Sequence, residues 1–439
     1  MTRDLFRAAA DHAADFVESL DERPVALPFD GAALRGPLPE GPTDPRAVID
    51  ELVAAASDGI VASAGPRYFG FVTGGALPAA AAADMLAVGW DQNTAFAVMS
   101  PAAAVVEEVA AGWLLELLGL PPTASFSFQT GTQMANFTCL AAARRQLLAD
   151  AGWDFDRDGL AGAPPIRVLV GDERHVTIDR ALRLLGIGSA SLEVVPADEQ
   201  GRLRADALEL DDRPTIVCAQ AGNVNSGAFD PLAEIADAVA GRAWLHVDGA
   251  FGLWAAASPR FRHLVAGAER ADSWSTDAHK WLNVPYDCGL AFCARPEAHR
   301  AAMAVSAAYL QAGETRDAME WGPDSSRRAR GFAVYAAIRQ LGRSGVTELV
   351  ERCCDLARLF AERLADEGFE ILNDVVLNQV LVRASPELVA RVQADGTLWA
   401  GGTTWQGVEA MRISVSGWRT TEADVERSVA AVLRCSAGS

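Results

Sequence analysis

A chain of 439 residues, half of them hydrophobic and 22% charged, has the balance of a globular protein with room for two or three domains. A net charge of −20 argues against a surface built for nucleic acid or anionic membrane, since either polyanion would be repelled. Seven cysteines, odd in number and without a Cys-x-x-Cys pair, argue against a zinc ribbon or a disulfide framework and read as reduced and mostly buried.

In chain order, the start Met1-Thr2-Arg3-Asp4-Leu5-Phe6 lacks the apolar core of a signal peptide. No apolar stretch reaches the ~18 residues of a membrane span without a charge or turn signal. The expected location is therefore the cytoplasm. Leu5, Ala8, Ala9, His12, Phe16 and Val17 recur at helical spacing over residues 2–20, predicting an amphipathic helix that packs on another part of the molecule or on a second subunit. Residues 24–45 are rich in proline and glycine and read as an extended wrap, and 46–60 as a second helix. In Arg67-Tyr68-Phe69-Gly70-Phe71-Val72-Thr73-Gly74-Gly75, aromatics stand beside paired glycines. Such a loop either lets backbone approach a ligand closely or is an ordinary hydrophobic loop. Helices are expected at 79–88 and 102–120, the latter with Ser100 as N-cap and Pro101 at its first position.

A strand at 125–128 runs into Gln129-Thr130-Gly131-Thr132-Gln133 and a helix from 134 to about 151. A strand, a Gly/Thr turn and a helix start place free N–H groups and hydroxyls at a positive helix end, which is a seat for phosphate. No Gly-Lys-Ser/Thr follows, so it is not a Walker loop. Short apolar strands at 167–171, 191–195, 215–220, 244–247 and 289–294 then alternate with helices at 175–185 and 230–239. That alternation predicts a mainly parallel sheet covered on both faces, with ligands beyond the carboxyl ends of the strands. His175, Gly222-Asn223, Asp248 and Lys280 fall near such ends. Taken singly, Asp248 reads as a capping or ion-paired residue and His175 as a helix-start histidine. Residues 311–326 are polar with little periodicity. Helices follow at 327–341 and 347–367, and then strands at 369–372, 379–382 and 411–415 with a helix at 421–433 suggest a smaller second domain. The expected division is an N-terminal arm (1–73), a large cofactor-binding domain (74–341) and a small C-terminal domain (342–439).

Lys280 is the only lysine; every other basic residue counted with it is an arginine. Its amine can lose a proton and attack a carbonyl, which a guanidinium cannot. A lone lysine, a phosphate seat, a carboxylate for a ring nitrogen and a histidine over the ring together make a pyridoxal-phosphate site.

His246-Val247-Asp248-Gly249-Ala250, followed 32 residues after the Asp (280 − 248) by His279-Lys280-Trp281, resembles the group II pyridoxal-dependent amino-acid decarboxylases, the family of the aromatic-L-amino-acid decarboxylases. The likeness runs over nearly the whole chain, through 67–78, 131–136, 171–183, 222–231, 261–264, 286–289, Arg327-Arg328 and Met411-Arg412-Ile413. It implies the type I (aspartate-aminotransferase-like) α/β fold: a mainly parallel seven-stranded sheet with helices on both faces and a small α+β C-terminal domain. It also implies a homodimer with active sites at the interface. The activity implied is decarboxylation of an L-amino acid to the amine and CO2, through an imine on Lys280 and a carbanion. Phe71, Phe96 and Trp321 favour an aromatic or hydrophobic substrate.

The resemblance assigns roles residue by residue. Lys280 would hold the cofactor, Asp248 would pair with the ring nitrogen, and His175 would stack on one ring face and relay a proton. Ala250 would cover the other face, and Asn223 would lie near the phenolic oxygen. Thr132, Gln133 and His279 would hold the phosphate. Phe71 and Thr73 would line the substrate pocket or reach the neighbouring site. Two positions depart from the family. Asp277 stands where Asn or Ser is usual, and a carboxylate beside a phosphate is unfavourable, so its backbone alone would serve or the side chain would point away. Residues 311–326 lack the tyrosine that protonates the carbanion in the aromatic decarboxylases, leaving His175, Glu314, Asp317, Glu320 or water. Oxidative deamination to an aldehyde, aminotransfer with Arg412 as carboxylate clamp, and carbon–carbon lysis therefore stay open beside decarboxylation.

Overall fold

The computed structural model describes residues 2–305 and 316–437. The chain opens with α1 (Thr2–Ser19), which buries only Ala8 and touches α2 (Pro45–Ala56) through His12 and Asp50. Between them the strap is held at Val25, whose N–H donates to Gly396 O and whose carbonyl accepts from Ala62 N. α3 (Pro78–Trp90) and α4 (Pro101–Leu117) follow, each with proline in its first turn. Ser100 does not cap α4 as expected: its hydroxyl instead donates to Asn93 O at 2.7 Å, tying the preceding turn.

The central sheet comprises β1 (Ser125–Gln129), β2 (Arg167–Gly171), β3 (Leu192–Val195), β4 (Thr215–Gln220), β5 (Trp244–Asp248), β6 (Ser273–Asp277) and β7 (Gly289–Cys293). They lie in the order β1-β7-β6-β5-β4-β2-β3. All pairs are parallel except those of β7, which runs against both β1 and β6. Alternation along the strands serves two cores at once. Val168, Val170, Ile216 and Cys218 face the layer under α5 (Thr132–Asp150), whereas Leu169, Val217, Leu245 and Val247 face the opposite layer with Trp254, Trp274 and Trp281. A strand buried on both faces needs apolar residues at successive positions, which is why 168–170 of β2, 216–219 of β4 and, but for His246, 244–247 of β5 read as apolar runs.

The remaining helices are α6 (Phe155–Asp158), α7 (Val176–Leu184), α8 (Leu232–Val239), α9 (Pro296–Met303), α10 (Gly331–Asp366), α11 (Pro386–Asp395) and α12 (Glu422–Ala437). Helical hydrogen bonding in α10 spans a break at Gly342 (φ 62°, ψ −179°), so the two helices expected there are two segments joined at a glycine. A second sheet, β8 (Gln379–Arg383), β9 (Gly401–Trp405) and β10 (Val408–Ser414), is antiparallel in the order β8-β10-β9. Residues 369–372 form no strand; only Ile371 bridges to Val382. All seven cysteines are free, six of them buried. Among the described residues no helix is long and apolar enough to cross a membrane.

Candidate active site

Because β1, β2, β4, β5 and β6 are mutually parallel, their carboxyl ends meet at one edge of the sheet. Thr132 opens α5 after β1, His175 precedes α7 after β2, and Asn223 follows β4. Asp248 ends β5, and Lys280 comes three residues beyond β6. Residues spread over 149 positions of sequence (280 − 131) are thus gathered by topology alone. Glycine makes the approach possible. A Cβ on Gly289, at the start of antiparallel β7, would meet the Gly131 backbone at 2.4 Å, and one on Gly74 would meet Lys280 O at 2.2 Å. The Thr73-Gly74 loop therefore lies directly against the lysine.

Asp248 is buried, which raises its carboxyl pKa; the His175 charge, a hydrogen bond from Asn136 Nδ2 (3.0 Å), Lys280 and the Ala250 N–H (3.2 Å) act the other way. His175 is pushed down chiefly by burial, against the pull of Asp248. Its Nδ1 accepts from Thr177 N and contacts Thr177 Oγ1 at 2.9 Å, so a neutral ring carries its proton on Nε2. Arg412 on β10 also acts on His175, and no carboxylate lies within 4.0 Å of its guanidinium among the described residues.

Behind Asp248 runs a buried chain of donors that sequence reasoning missed. Trp244 Nε1 donates to Ser273 Oγ (2.9 Å), Ser273 Oγ to His246 Nδ1 (3.0 Å), and His246 Nε2 to Asn136 Oδ1 (2.9 Å). Asn136 then donates through Nδ2 to Asp248. Every link delivers a hydrogen toward the carboxylate. The order is consistent only with a neutral His246, whose pKa burial pushes down to about 3. Asn136 Nδ2 also reaches Thr177 Oγ1 (3.3 Å), linking the carboxylate and histidine supports.

At the helix start, Thr132 Oγ1 and Gln133 Oε1 are buried without a hydrogen-bond partner, while Gln133 Nε2 donates to Thr177 O at 3.3 Å. His279 Nδ1 accepts from Cys288 N (3.0 Å) and its ring is tilted by 33° on Tyr286 at 4.4 Å, with Nε2 toward the same hollow, 3.6 Å from Asp277 Oδ1. Thr132 Oγ1 and His279 Nε2–H can donate to a phosphate, whereas Gln133 Oε1 is an acceptor and its Nε2 is already engaged. The Asp277 carboxylate enters the same hollow: Oδ1 accepts the Thr132 N–H at 2.7 Å and Oδ2 pairs with Lys280 Nζ at 3.1 Å. Both alternatives weighed for this residue fail, because its own N–H is committed to Ala250 O (2.9 Å) and its side chain points inward.

Other expected residues are placed less simply. Ala250 joins the group, donating to Asp248 and accepting from Asp277. Asn223 spends its amide hydrogens on Glu173 O (3.0 Å) and Gln220 Oε1 (3.2 Å), which anchors the loop ahead of His175. Thr73 Oγ1 is 3.4 Å from Tyr286 OH. Phe71 is exposed and tilts on Trp399 at 5.2 Å. Phe96 sits in the turn ahead of α4, a turn tied to Asp317 and Met319. Glu314 lies outside the described residues. Asp317 accepts from Ala97 N (2.8 Å), Glu320 pairs with Arg300 (2.8 Å), and Trp321 packs edge-on to His299.

The fold and this sheet edge define an enzyme of the type I pyridoxal-phosphate class. The chain is 29% identical to tryptophan decarboxylase 1 of Oryza sativa subsp. japonica, with 90% of this chain and 82% of that one covered. It is 27% identical to 4-hydroxyphenylacetaldehyde synthase of Rhodiola rosea, with 96% and 92% covered. The crystal structure of Oryza sativa TDC with PLP and tryptamine superposes with a TM-score of 0.91 at 25% identity, covering 100% of this chain and 98% of that one. The model of the pyridoxal-dependent decarboxylase conserved domain matches residues 34–385, and the chain belongs to that family. It is an amino-acid decarboxylase dependent on pyridoxal phosphate.

Proposed function

We propose that the chain decarboxylates an aromatic or hydrophobic L-amino acid to its amine, acting as a homodimer in the cytoplasm. The observation that carries this reading is the convergence of Lys280, Asp248 and His175 on one sheet edge beside a seat of unpartnered phosphate ligands. Bound pyridoxal phosphate supplies an electron sink for the pair left when CO2 departs. The chain's residues do the rest. Lys280 would hold the cofactor's carbonyl end, and Thr132, Gln133 and His279 its phosphate end. Asp248, whose ionised form the Asn136 hydrogen bond favours against burial, would pair with the ring nitrogen; Ala250 would cover one ring face and His175 the other. Of the acids that could return a proton to the substrate carbon, Asp317 and Glu320 are engaged elsewhere, which favours His175 Nε2–H or a water. Phe71, with Trp399 beside it, and Thr73 line the pocket.

The relatives support the aromatic substrate: among them are tryptophan decarboxylase 1 and a 4-hydroxyphenylacetaldehyde synthase. The dimer is supported by the number of large apolar side chains left exposed over a short stretch of chain: Met85, Leu86, Val88 and Trp90 on α3, Val98 and Met99 in the turn, and Val105 and Val109 on α4. In that dimer the turn with Phe96 would lie at the neighbouring site.

A second reading, oxidative deamination to the aldehyde, is favoured by the lack of a tyrosine in 311–326. Incubation with an amino-acid panel, following CO2, amine, aldehyde and peroxide, decides between them. Amine with CO2 and no peroxide supports the first; aldehyde with ammonia and peroxide replaces it with the second. CO2 from none of the aromatic or aliphatic amino acids overturns the substrate assignment.

A further inference from the structure

Asp277 has no place in the reaction just described, yet it occupies the middle of the phosphate seat. It is 2% exposed, and it engages two groups that the cofactor needs: the Thr132 N–H and the Lys280 ammonium. His279 Nε2 lies 3.6 Å from the same Oδ1. The other side-chain donors at the seat, Thr132 Oγ1 and the His279 ring, are neutral, and burial holds His279 in that form. The charges that act on His279 are those of Asp277, Asp287 and Lys280, and Asp287 is already paired with Arg330 at 2.8 Å. Among the described residues, the cation acting on this seat is Lys280, and an acid already holds it.

We propose that Asp277 is a resident anion that weakens the hold on the cofactor's phosphate, setting a low affinity and a fast exchange. The proposal rests on the pyridoxal-phosphate reading above. A phosphate ester carries nearly two negative charges at neutral pH. To take the Thr132 N–H it must displace a carboxylate from that donor, and the displaced carboxylate remains nearby in a place with little water to screen it. Both effects lower affinity for phosphate esters. The pair with Lys280 bears on pyridoxal and on its phosphate alike, so the effect on the phosphate is the gain for pyridoxal 5'-phosphate over that for pyridoxal.

The test compares the full-length wild type with Asp277→Asn, which keeps an oxygen acceptor for Thr132 N without the charge, and with Asp277→Ser, which removes the group altogether. Thermal melts establish that each variant is folded. Equilibrium dialysis gives the Kd for pyridoxal 5'-phosphate, for pyridoxal without its phosphate, and for inorganic phosphate as competitor; gel filtration gives the half-time of cofactor release. The expected result is a Kd for pyridoxal phosphate lowered at least about tenfold in both variants, with slower release and tighter inorganic phosphate, while pyridoxal changes by less than about threefold. Unchanged or weaker binding of pyridoxal phosphate overturns the proposal. An equal gain for pyridoxal also overturns it, because Asp277 then acts through Lys280. A wild type that takes up no pyridoxal phosphate at all instead overturns the functional reading beneath it.

Discussion

Replacing Asn136 by leucine removes the last link of the donor chain behind Asp248 while roughly keeping its volume. The lost bond, 3.0 Å to Asp248 Oδ2, is charge-assisted and fully buried. Such a bond contributes about 1.5–3 kcal/mol. Because Asn136 donates to the ionised form only, its loss disfavours that form. At 1.36 kcal/mol per unit this raises the Asp248 pKa by about 1–2 units beyond the elevation burial already imposes. Asp248 must be ionised to face a protonated ring nitrogen, so the acid limb of the kcat/KM–pH profile moves upward by about the same 1–2 units. Ser275 Oγ and His246 Nε2, now at 2.5 and 2.9 Å from Asn136 Oδ1, also lose their partner, and the variant melts earlier. The assay is a pH–rate profile with the holoenzyme, beside a melting curve at each pH. A lowered melting temperature with an unmoved acid limb refutes the reasoning and reduces Asn136 to a packing residue.

Three further outcomes are expected. Borohydride reduction with pyridoxal phosphate labels the wild type and leaves Lys280→Arg unlabelled; mass spectrometry checks it, and a labelled variant refutes the lysine assignment. Asp248→Ala lowers kcat/KM by about 2.7–4 kcal/mol, by analogy with loss of a preorganised electrostatic group, and near-normal turnover would count against its role. Stability falls on acidification because His299 is buried neutral between Ser125 Oγ (2.9 Å) and Trp321 O (2.8 Å), with its pKa pushed down from 6.5 to about 4. The unfolded chain then binds the extra proton, so stability present above pH 6.5 is lost as pH drops toward 4, by roughly 3 kcal/mol. His299→Gln should flatten that slope in denaturant titrations, and an identical slope would contradict it.

Much of the site was legible because its chemistry needs particular side chains at strand ends. Asp248 closes an apolar run, and Lys280 has no competitor in the chain. The strand that carries the lysine was not legible. β6 reads Ser-Trp-Ser-Thr-Asp, with one apolar residue, and resembles a loop. It survives at the centre of the sheet because its hydroxyls find partners from elsewhere: Ser273 with Trp244 and His246, Ser275 with Asn136. Those partners are set by tertiary contact, which no local periodicity encodes. β9, Gly-Gly-Thr-Thr-Trp, was missed for the same lack of apolar alternation. The supporting role of Asn136 shares this cause, since it acts on Asp248, 112 positions away. For Asp277, like-charge repulsion suggested that its backbone alone would serve or that the side chain would point away, whereas its carboxylate accepts the Thr132 N–H.

The solitary lysine has a practical corollary. Lys280 is partly accessible, with about a fifth of its side chain exposed. An acylating or aldehyde reagent has no other side-chain amine in the sequence to consume. Intact mass alone then reads the occupancy of one atom: a single added label marks a vacant amine, and protection marks a loaded one. The enzyme thus carries its own stoichiometric reporter, usable in crude mixtures without digestion or mapping, once the α-amino terminus is blocked or subtracted.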